Sequence, residues 1–449
     1  QIEPLAKMAF VAGAQAGWVT GSNAGSVGCP KRCWRGGVRA SPCGLRMAAD
    51  GSVVGGLRRV VSGALAAGLI ATAVLSPDPT SLTGGDVLTP LPARAAQGGG
   101  TTFSGSSQRV NKDAESLLRW GLPIKNKEVR ELQRDLENIT YDIRQREWNK
   151  VEDDLRKALG VAKGKGQKIL AAVAQERREQ AQDILDLVLD KIPMVREAVA
   201  SKDADRVVEL QRDVLRDVGR IEDLMVKEFP FKIPEEYASL PRLLGRATVE
   251  IKIAKADGQQ FDINGTLYKD GTITMVVDGY NAPLTAGNFV DLVNKGFYDK
   301  MPIIRSDGFV VQTGDPDPDG ELDGYIDPQT KAVRTIPLEV FARGDKEPTY
   351  GLTLEEDGRG AAQTVLPFSS YGTVAMAREE FTNDSASSQF FWFLFEPDLT
   401  PAGRNLLDGR YTVFGYTTEG AFFLKDYKAG DIVVSAKVVD GLDNLVTSS

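Results

Sequence analysis

The chain has 449 residues, of which 42% are hydrophobic and 26% charged, and its formal net charge is −8. This length predicts two or three domains, and this balance excludes both a disordered chain and a protein with many membrane spans. The negative charge argues against a nucleic-acid binder held by phosphate contacts. Histidine is absent, which excludes Ser-His-Asp and Cys-His catalysis and every metal site built on histidine.

The N-terminal segment has the composition of a two-part address. Residues 1–49 contain six basic residues and one acidic residue, as organelle transit peptides do. Arg58 and Arg59 then precede an apolar run at 60–75, and residues 93–95 (Ala-Arg-Ala) form a small-x-small cleavage site. This order resembles the bipartite presequence of proteins of the chloroplast thylakoid lumen. A retained membrane anchor is the alternative, which the short, Ala- and Gly-rich apolar run disfavours.

We therefore place a cleaved targeting presequence at residues 1–95. All three cysteines, Cys29, Cys33 and Cys43, lie within it. Once the presequence is removed, the protein has no disulfide, no thiol nucleophile and no thiolate metal site.

A Gly/Ser/Thr-rich linker at 96–109 precedes a charged region, residues 110–229, that is typical of an α-helical bundle. Apolar residues recur there at spacings of three and four, as on one face of a helix. The two clearest stripes are Val129, Leu132, Leu136, Ile139 and Ile143, and Val207, Leu210, Val214, Val218, Ile221 and Met225. Three or four helices are expected, with breaks at Gly160, Gly164 and Gly166, at Pro193 and at residues 201–203. The charged faces indicate a solvated surface, and a docking surface is the alternative.

A proline-containing linker at 230–246 leads into residues 247–449, where the pattern changes to that of β-strands. Residues 248–253, 272–277 and 431–439 are rich in β-branched residues and alternate between apolar and polar positions. This predicts a closed antiparallel β-barrel with few helices. The fold class is therefore multidomain α + β, with an N-terminal helical bundle followed by the barrel.

An acidic run, Asp315, Asp317, Asp319 and Gly320, is similar to the start of a calcium-binding helix–loop–helix motif. Position 12 of such a loop should be Glu, whereas this chain has Ile326, and no amphipathic helices flank the run. We interpret it as a solvent-facing acidic loop, and we expect no metal and no cofactor.

Four short blocks in the C-terminal half stand out by their order and spacing. They are Asn288-Phe289, RSDGFVVQTGD from Arg305, SSQFF from Ser387, and LDGRYTVFG from Leu407. Together they resemble the cyclophilins, peptidyl-prolyl cis-trans isomerases built on an eight-stranded β-barrel capped by two helices. The match covers about residues 247–445, and the whole layout is similar to that of the large cyclophilins of the thylakoid lumen, which are implicated in photosystem II assembly.

The resemblance implies an isomerase site. Arg305 would donate a hydrogen bond to the twisting prolyl nitrogen, and Gln312 would orient the arginine. The substrate would contact Phe309, Ala377, Gln389, Phe391 and Leu407, with Arg378, Leu406 and Tyr411 at the rim. Such chemistry needs neither His nor Cys, because the barrier comes from amide conjugation rather than from a proton or covalent step. Without the resemblance, Phe309 and Phe391 would be interpreted as barrel core and Arg305 as half of a surface ion pair.

The departures from the cyclophilin pattern bear on activity. Ile303-Ile304 stands where Phe-His is usual, and the segment after Arg305 is one residue shorter and lacks its proline. Arg378 replaces Asn, Leu406 replaces Trp and Tyr411 replaces His. We therefore predict weak isomerase turnover on short peptides with retained binding; the alternative is a catalytically inactive peptide-binding assembly factor or regulatory scaffold.

The predicted partners follow from this combination of features. They are proline-containing segments of lumenal proteins, above all of photosystem II subunits. Nucleic acid is not expected to be a partner. Peripheral membrane association and an intramolecular contact between bundle and barrel both remain open. The predicted location is the chloroplast thylakoid lumen.

Overall fold

The computed structural model describes residues 110–320, 324–394 and 405–447. The predicted presequence and the whole linker that follows it lie outside the described residues. No helix in the described ranges is long and apolar enough to cross a membrane.

The N-terminal half of the described chain is helical. Its helices are α1 (Ala114–Gly121), α2 (Lys127–Arg144), α3 (Trp148–Ala171), α4 (Arg178–Ala200) and α5 (Ala204–Met225). Helices α2 to α5 form a four-helix bundle in which each successive pair packs together and α5 packs back against α2. Asn126 and Asp203 cap the N-termini of α2 and α5 by accepting hydrogen bonds from the backbone N–H groups of Val129 and Arg206.

Both predicted apolar stripes lie in the core of this bundle. Every side chain of the stripe on α2 and of the stripe on α5 is buried. A spacing of three and four residues places such side chains on one helix face, and burying each contributes on the order of 1.5–3 kcal/mol. The prediction of amphipathic helices with narrow apolar seams is therefore confirmed.

One predicted helix break is wrong, and the other lies at only one of its two predicted places. Helix α3 continues through Gly160, Gly164 and Gly166, and α4 continues through Pro193. A Cβ at Gly160 or Gly164 would meet no atom within 4 Å, whereas one at Gly166 would lie 3.0 Å from Leu185 of α4. The packing of the bundle thus overrides the low helix propensity of these residues, and Gly166 lets the two helices approach closely. The break predicted at residues 201–203 is confirmed.

Buried charge lies on the α2–α5 side of the bundle. Glu222 of α5 is fully buried; its Oε1 pairs with Nη1 of Arg130 at 3.1 Å. Its second oxygen has no hydrogen-bond partner among the described residues. Burial raises the pKa of Glu222 to about 8, although the nearby arginines Arg130 and Arg119 lower it.

This carboxyl group should make the stability of the protein depend on pH. Because its pKa is higher in the folded state than its ordinary value of 4.5, its stabilising contribution is full below about pH 4.5 and is lost as the pH rises through 8. We expect Glu222→Gln to match the wild type near pH 4.5 and to become the more stable protein towards pH 8, by at most about 1.4 kcal/mol per pH unit. Denaturant unfolding at several pH values measures this difference.

Glu209, an exposed glutamate on the same helix, provides the control. Glu209→Gln should keep the wild-type pH dependence, since its side chain is 64% exposed and pairs only at the surface with Arg206. Parallel unfolding curves for Glu222→Gln and the wild type from pH 4.5 to 8 would contradict the prediction.

The C-terminal half is built on β-strands. In chain order they are β1 (Arg242–Leu243), β2 (Arg246–Ala254), β3 (Phe261–Ile263), β4 (Thr266–Tyr268), β5 (Gly271–Asp278), β6 (Ile303–Ser306), β7 (Val310–Thr313), β8 (Glu339–Val340), β9 (Thr349–Tyr350), β10 (Thr373–Met376), β11 (Phe390–Phe393), β12 (Val413–Glu419), β13 (Ile432–Asp440) and β14 (Leu445–Val446). Eight of them form one antiparallel sheet in the order β13-β2-β5-β12-β10-β11-β7-β6, and the other six form three short ribbons.

The sheet is a curled, open one, so the predicted closed barrel is not confirmed. Its end strands, β6 and β13, each pair with one neighbour in the sheet. At these two ends, an isolated bridge between Pro302 and Ile432 and four backbone hydrogen bonds link residues 300–303 to residues 430–433. The alternation of apolar and polar residues predicts the strands of the sheet but not whether the sheet closes. Closure depends on the tilt and register of strands that are far apart in sequence.

The sheet encloses an aromatic core. Helix α6 (Pro283–Asn294) packs Phe289 against Phe390 and Phe414, and Trp392 lies fully buried beside Phe390. Alternate residues of β2 are buried, as its sequence predicts. Where the resemblance implied a second capping helix, the structure has a six-residue 3-10 helix, Ala421–Asp426. The site can therefore lie on the opposite face of the sheet, which is turned away from this core.

Candidate active site

Four neighbouring strands bring the predicted catalytic residues into one row. Arg305 of β6 lies opposite Gln312 of β7, Gln312 lies opposite Phe391 of β11, and Phe391 lies opposite Ala375 of β10. Residues directly opposite one another in an antiparallel sheet project from the same face with Cβ atoms about 4.5–5.5 Å apart. A cation, an amide and an aromatic ring therefore stand side by side on one face of the sheet.

Arg305 is held by an acidic neighbour. Its Nε donates a hydrogen bond to Oδ2 of Asp307 at 2.6 Å, and its Nη2 also contacts that oxygen. The arginine side chain is 31% exposed, so it lies at the surface of the site where a peptide can reach it. A guanidinium group stays charged at every physiological pH and donates in fixed planar directions.

The two predicted glutamines form an amide pair. Nε2 of Gln312 donates to Oε1 of Gln389 at 2.6 Å, and Nε2 of Gln389 lies 3.3 Å from Oδ2 of Asp315. The other amide oxygen, Oε1 of Gln312, is buried and has no hydrogen-bond partner among the described residues. The amide pair therefore leaves one buried acceptor unsatisfied among the described residues.

The apolar part of the site is a ring cluster around Phe391. Phe368 stacks on Phe391 with centroids 6.1 Å apart and the rings 8° from parallel, and Tyr411 meets it edge-on at 5.9 Å. Leu407 and Ala377 pack against the same cluster. The backbone N–H of Ala377 donates to the carbonyl of Gln389 at 2.9 Å, which ties the two predicted groove residues together.

The remaining predicted contacts lie at the rim. Phe309, in the turn between β6 and β7, is 40% exposed, and Leu406 is 61% exposed. Neither belongs to the ring cluster around Phe391. Phe309 and Leu406 therefore lie at the exposed edge of the described part of the site.

Arg378 is turned towards the segment of Arg410 and Tyr411. Its Nε and Nη2 donate to the carbonyl of Arg410 at 3.1 and 3.0 Å, and its guanidinium lies 5.0 Å from the centre of the Tyr411 ring. Burial lowers the pKa of Arg378, and burial raises the pKa of the Tyr411 hydroxyl while Arg378 and Arg305 lower it. The two residues that replace Asn and His of the cyclophilin pattern thus stack on each other, and Arg378 does not act as a second cation directed at the row.

Helix α1 also reaches this face of the sheet. Leu117 and Leu118 are buried in the same apolar cluster as Phe368 and Phe391. Nδ2 of Asn281 fixes the end of α1 by donating to the carbonyl of Gly121 at 2.9 Å. The helical region and the sheet region are therefore in direct contact beside the ring cluster.

Sequence reasoning missed two residues of this site. Asp307 is followed by Gly308, and an Asp-Gly pair predicts a tight turn. The proximity of Asp307 to Arg305 could have been deduced from that turn. Phe368 lies in an irregular segment, Pro367-Phe368-Ser369, whose approach to Phe391 no local pattern indicates.

The acidic run after β7 borders the amide pair of Gln312 and Gln389. Asp315 accepts a hydrogen bond from Gln389, and its other oxygen accepts one from the backbone N–H of Asp317 at 3.0 Å. No group of three or more His, Cys, Asp or Glu residues suited to a metal ion occurs in the described ranges. The contacts of Asp315 are therefore those of a loop bordering the amide pair.

Comparison with known proteins agrees with this geometry. Residues 113–226 match the family described as peptidyl-prolyl cis-trans isomerase CYP38-like, PsbQ-like domain, and residues 261–442 match the family of cyclophilin type peptidyl-prolyl cis-trans isomerases. The chain is 46% identical over 341 residues to peptidyl-prolyl cis-trans isomerase CYP38, chloroplastic, of Arabidopsis thaliana, covering 75% of this chain and 76% of that protein. It is also 46% identical over 338 residues to a provisionally named thylakoid lumen peptidyl-prolyl cis-trans isomerase of Synechocystis, covering 75% and 85%.

The fold, the matched family and the two relatives thus define a cyclophilin-type peptidyl-prolyl cis-trans isomerase. Within that class, the chain belongs to the CYP38-like proteins, which join a PsbQ-like helical domain to a cyclophilin domain. The predicted resemblance, the isomerase class and the location in the chloroplast thylakoid lumen are confirmed.

Proposed function

We propose that this isomerase turns over short X-Pro peptides weakly and serves chiefly in the folding and assembly of photosystem II proteins. Its clients are proline-containing segments of these proteins that enter the lumen. The observation that carries the proposal is the cross-strand row in which Gln312 lies opposite both Arg305 and Phe391.

The row suits the chemistry of prolyl isomerisation. Rotation about a peptide bond faces a barrier of about 18–20 kcal/mol because conjugation is lost, and uncatalysed X-Pro exchange takes tens of seconds or more. As the bond twists, the prolyl nitrogen regains a lone pair and becomes a hydrogen-bond acceptor. The Arg305 guanidinium donates to that nitrogen and stabilises the twisted state more than either planar state, which lowers the barrier.

Each neighbour of Arg305 has a distinct role in this proposal. Phe391, which is 1% exposed and packed among Phe368 and Tyr411, forms the apolar base of the site, above which the pyrrolidine ring is received. The amide pair of Gln312 and Gln389 orients the peptide beside Arg305, and Gln389 holds the Gln312 amide in place. No proton is transferred and no covalent bond forms, so a chain without histidine can do this chemistry.

Three features support weak turnover. The carboxylate of Asp307 already occupies two nitrogens of Arg305. Phe309 and Leu406 are exposed and leave the substrate pocket partly open to water. The stacked pair of Arg378 and Tyr411 stands where cyclophilins carry Asn and His. An open, partly neutralised site binds a peptide but stabilises its twisted state less than a dry, charged one.

The role in photosystem II assembly rests on the resemblance to the large lumenal cyclophilins. The alternative is an assembly factor that acts by binding alone, and the altered rim together with the added helical domain favours it. The two functions differ in whether photosystem II assembly in the cell depends on Arg305.

A complementation experiment separates them. In a photosynthetic host that lacks its own relative of this protein, the full chain should restore photosystem II content, measured by immunoblotting and oxygen evolution. We expect Arg305→Ala to restore it only in part, because slow prolyl bonds then delay assembly.

Full restoration by Arg305→Ala would favour the binding-only factor. No restoration by the wild-type chain, when it accumulates in the lumen, would refute the role in photosystem II. A protease-coupled assay of the same purified proteins on a short X-Pro peptide completes the test, with wild-type turnover expected to be low but above the uncatalysed rate.

A further inference from the structure

The turn between β6 and β7 carries an acidic residue whose two oxygens make different contacts. Oδ1 of Asp307 accepts hydrogen bonds from the backbone N–H groups of Phe309 at 3.0 Å and Val310 at 3.1 Å. Oδ2 accepts from Nε of Arg305 at 2.6 Å and contacts its Nη2. One carboxylate therefore fixes the turn that bears Phe309 and holds the side chain of Arg305.

The turn is built for this arrangement. Gly308 follows Asp307 with a φ of +83°, a left-handed conformation that glycine adopts without strain. Aspartate in such a turn commonly accepts a hydrogen bond from the backbone two residues on. Arg305 and Asp307 are two residues apart in sequence. The turn places their side chains on the same side, close enough to pair.

The pair changes what Arg305 can offer a substrate. The proposed mechanism depends on positive charge at the prolyl nitrogen, and a carboxylate 2.6 Å from Nε opposes that charge. Both side chains are about one-third exposed, so solvent screens the effect without removing it. The backbone N–H groups of Val310 and Phe309, together with Arg305, hold the pKa of Asp307 below its ordinary value against the opposing effect of burial.

We infer that Asp307 is a positioning residue that restrains the isomerase by partly neutralising Arg305, while it fixes the Phe309 turn. The inference rests on the proposed role of Arg305. It explains low turnover through one carboxylate and separates that cause from the altered rim at Leu406 and Tyr411.

Asp307→Asn tests the restraint. Asparagine keeps an oxygen that can accept the turn hydrogen bonds but removes the charge beside Arg305. With the full chain and a short X-Pro peptide, measured by exchange NMR at high enzyme concentration, we expect kcat to rise about threefold to tenfold with KM nearly unchanged. Asp307→Ala should raise KM as well, because the turn that bears Phe309 loses its hydrogen bonds.

A matched control exists in the same domain. Asp357 accepts a hydrogen bond from Nε of Arg359 at 2.6 Å, again two residues apart, in a segment outside the row. Asp357→Asn should leave kcat and KM at wild-type values. This control removes an equivalent arginine–aspartate contact without touching the site.

A double variant shows whether Asp307 acts through Arg305. In the Arg305→Ala background, Asp307→Asn should give no gain in kcat. A kcat for Asp307→Asn at or below the wild-type value, including one at the uncatalysed rate, would overturn the inference; so would an equal gain without Arg305. If Arg305→Ala alone leaves turnover unchanged, the proposed role of Arg305 fails instead.

Discussion

Arg305→Ala should lower kcat/KM on a short X-Pro peptide by about a hundredfold, or to the uncatalysed rate, while the free energy of unfolding changes by less than about 1 kcal/mol. Removing a hydrogen-bond donor that stabilises charge developing in a transition state typically lowers the rate by about 10²–10³. Because Asp307 partly neutralises Arg305, we expect the loss at this site to lie at the low end of that range. The stability change is small because the arginine is partly exposed and its ion pair is screened by solvent. The protease-coupled assay and denaturant unfolding measure the two quantities.

Arg359→Ala is the control for this variant. Arg359 has a side chain 35% exposed, close to the 31% of Arg305, and also donates from Nε to an aspartate two residues away. Turnover should be unchanged in Arg359→Ala, so a specific loss in Arg305→Ala cannot be ascribed to a missing surface ion pair. Equal turnover in the two variants would show that the guanidinium of the row takes no part in isomerisation.

The site illustrates what a sequence can and cannot predict. Arg305, Gln312, Gln389 and Phe391 lie close together, because pairing of β6, β7 and β11 brings the block that begins at Arg305 beside the block that begins at Ser387. Local patterns could not reveal that Phe368, from an irregular segment, would stack on Phe391. Such contacts depend on tertiary packing between segments that share no periodicity.

The fold shows the same division. Apolar stripes predicted the helices of the bundle, because burial of one face is what stabilises them. Their lengths were misjudged at Gly160 and Pro193, where local propensity predicted a break and bundle packing kept the helix intact. The closed barrel was likewise an expectation that strand alternation alone could not support.

Arg246→Met should reduce the free energy of unfolding by about 3–5 kcal/mol, because it leaves the buried carboxylate of Asp278 without its cation. Nη2 of Arg246 lies 2.6 Å from Oδ2 of the fully buried Asp278, and Nη1 lies 3.5 Å from Asp223 of α5. The same guanidinium donates to the carbonyl of Leu118 in α1, so it joins the helical region to the sheet. Chemical denaturation measures the loss, and faster hydrogen exchange of the α1 amides should accompany it.

Arg216 offers the matched comparison, since it also links the two regions but at the surface. It pairs with Glu115 of α1 at 3.1 Å and with Glu419 of β12 at 3.4 Å, and its side chain is 49% exposed. Arg216→Met should cost no more than about 1 kcal/mol, because solvent screens such pairs. Adding Asp278→Asn to Arg246→Met should recover part of the loss by removing an uncompensated buried charge. If the two arginine variants lost equal stability, burial would not be what makes the Arg246 contact strong, and the attachment of α1 beside the ring cluster would have to rest on Leu117 and Leu118.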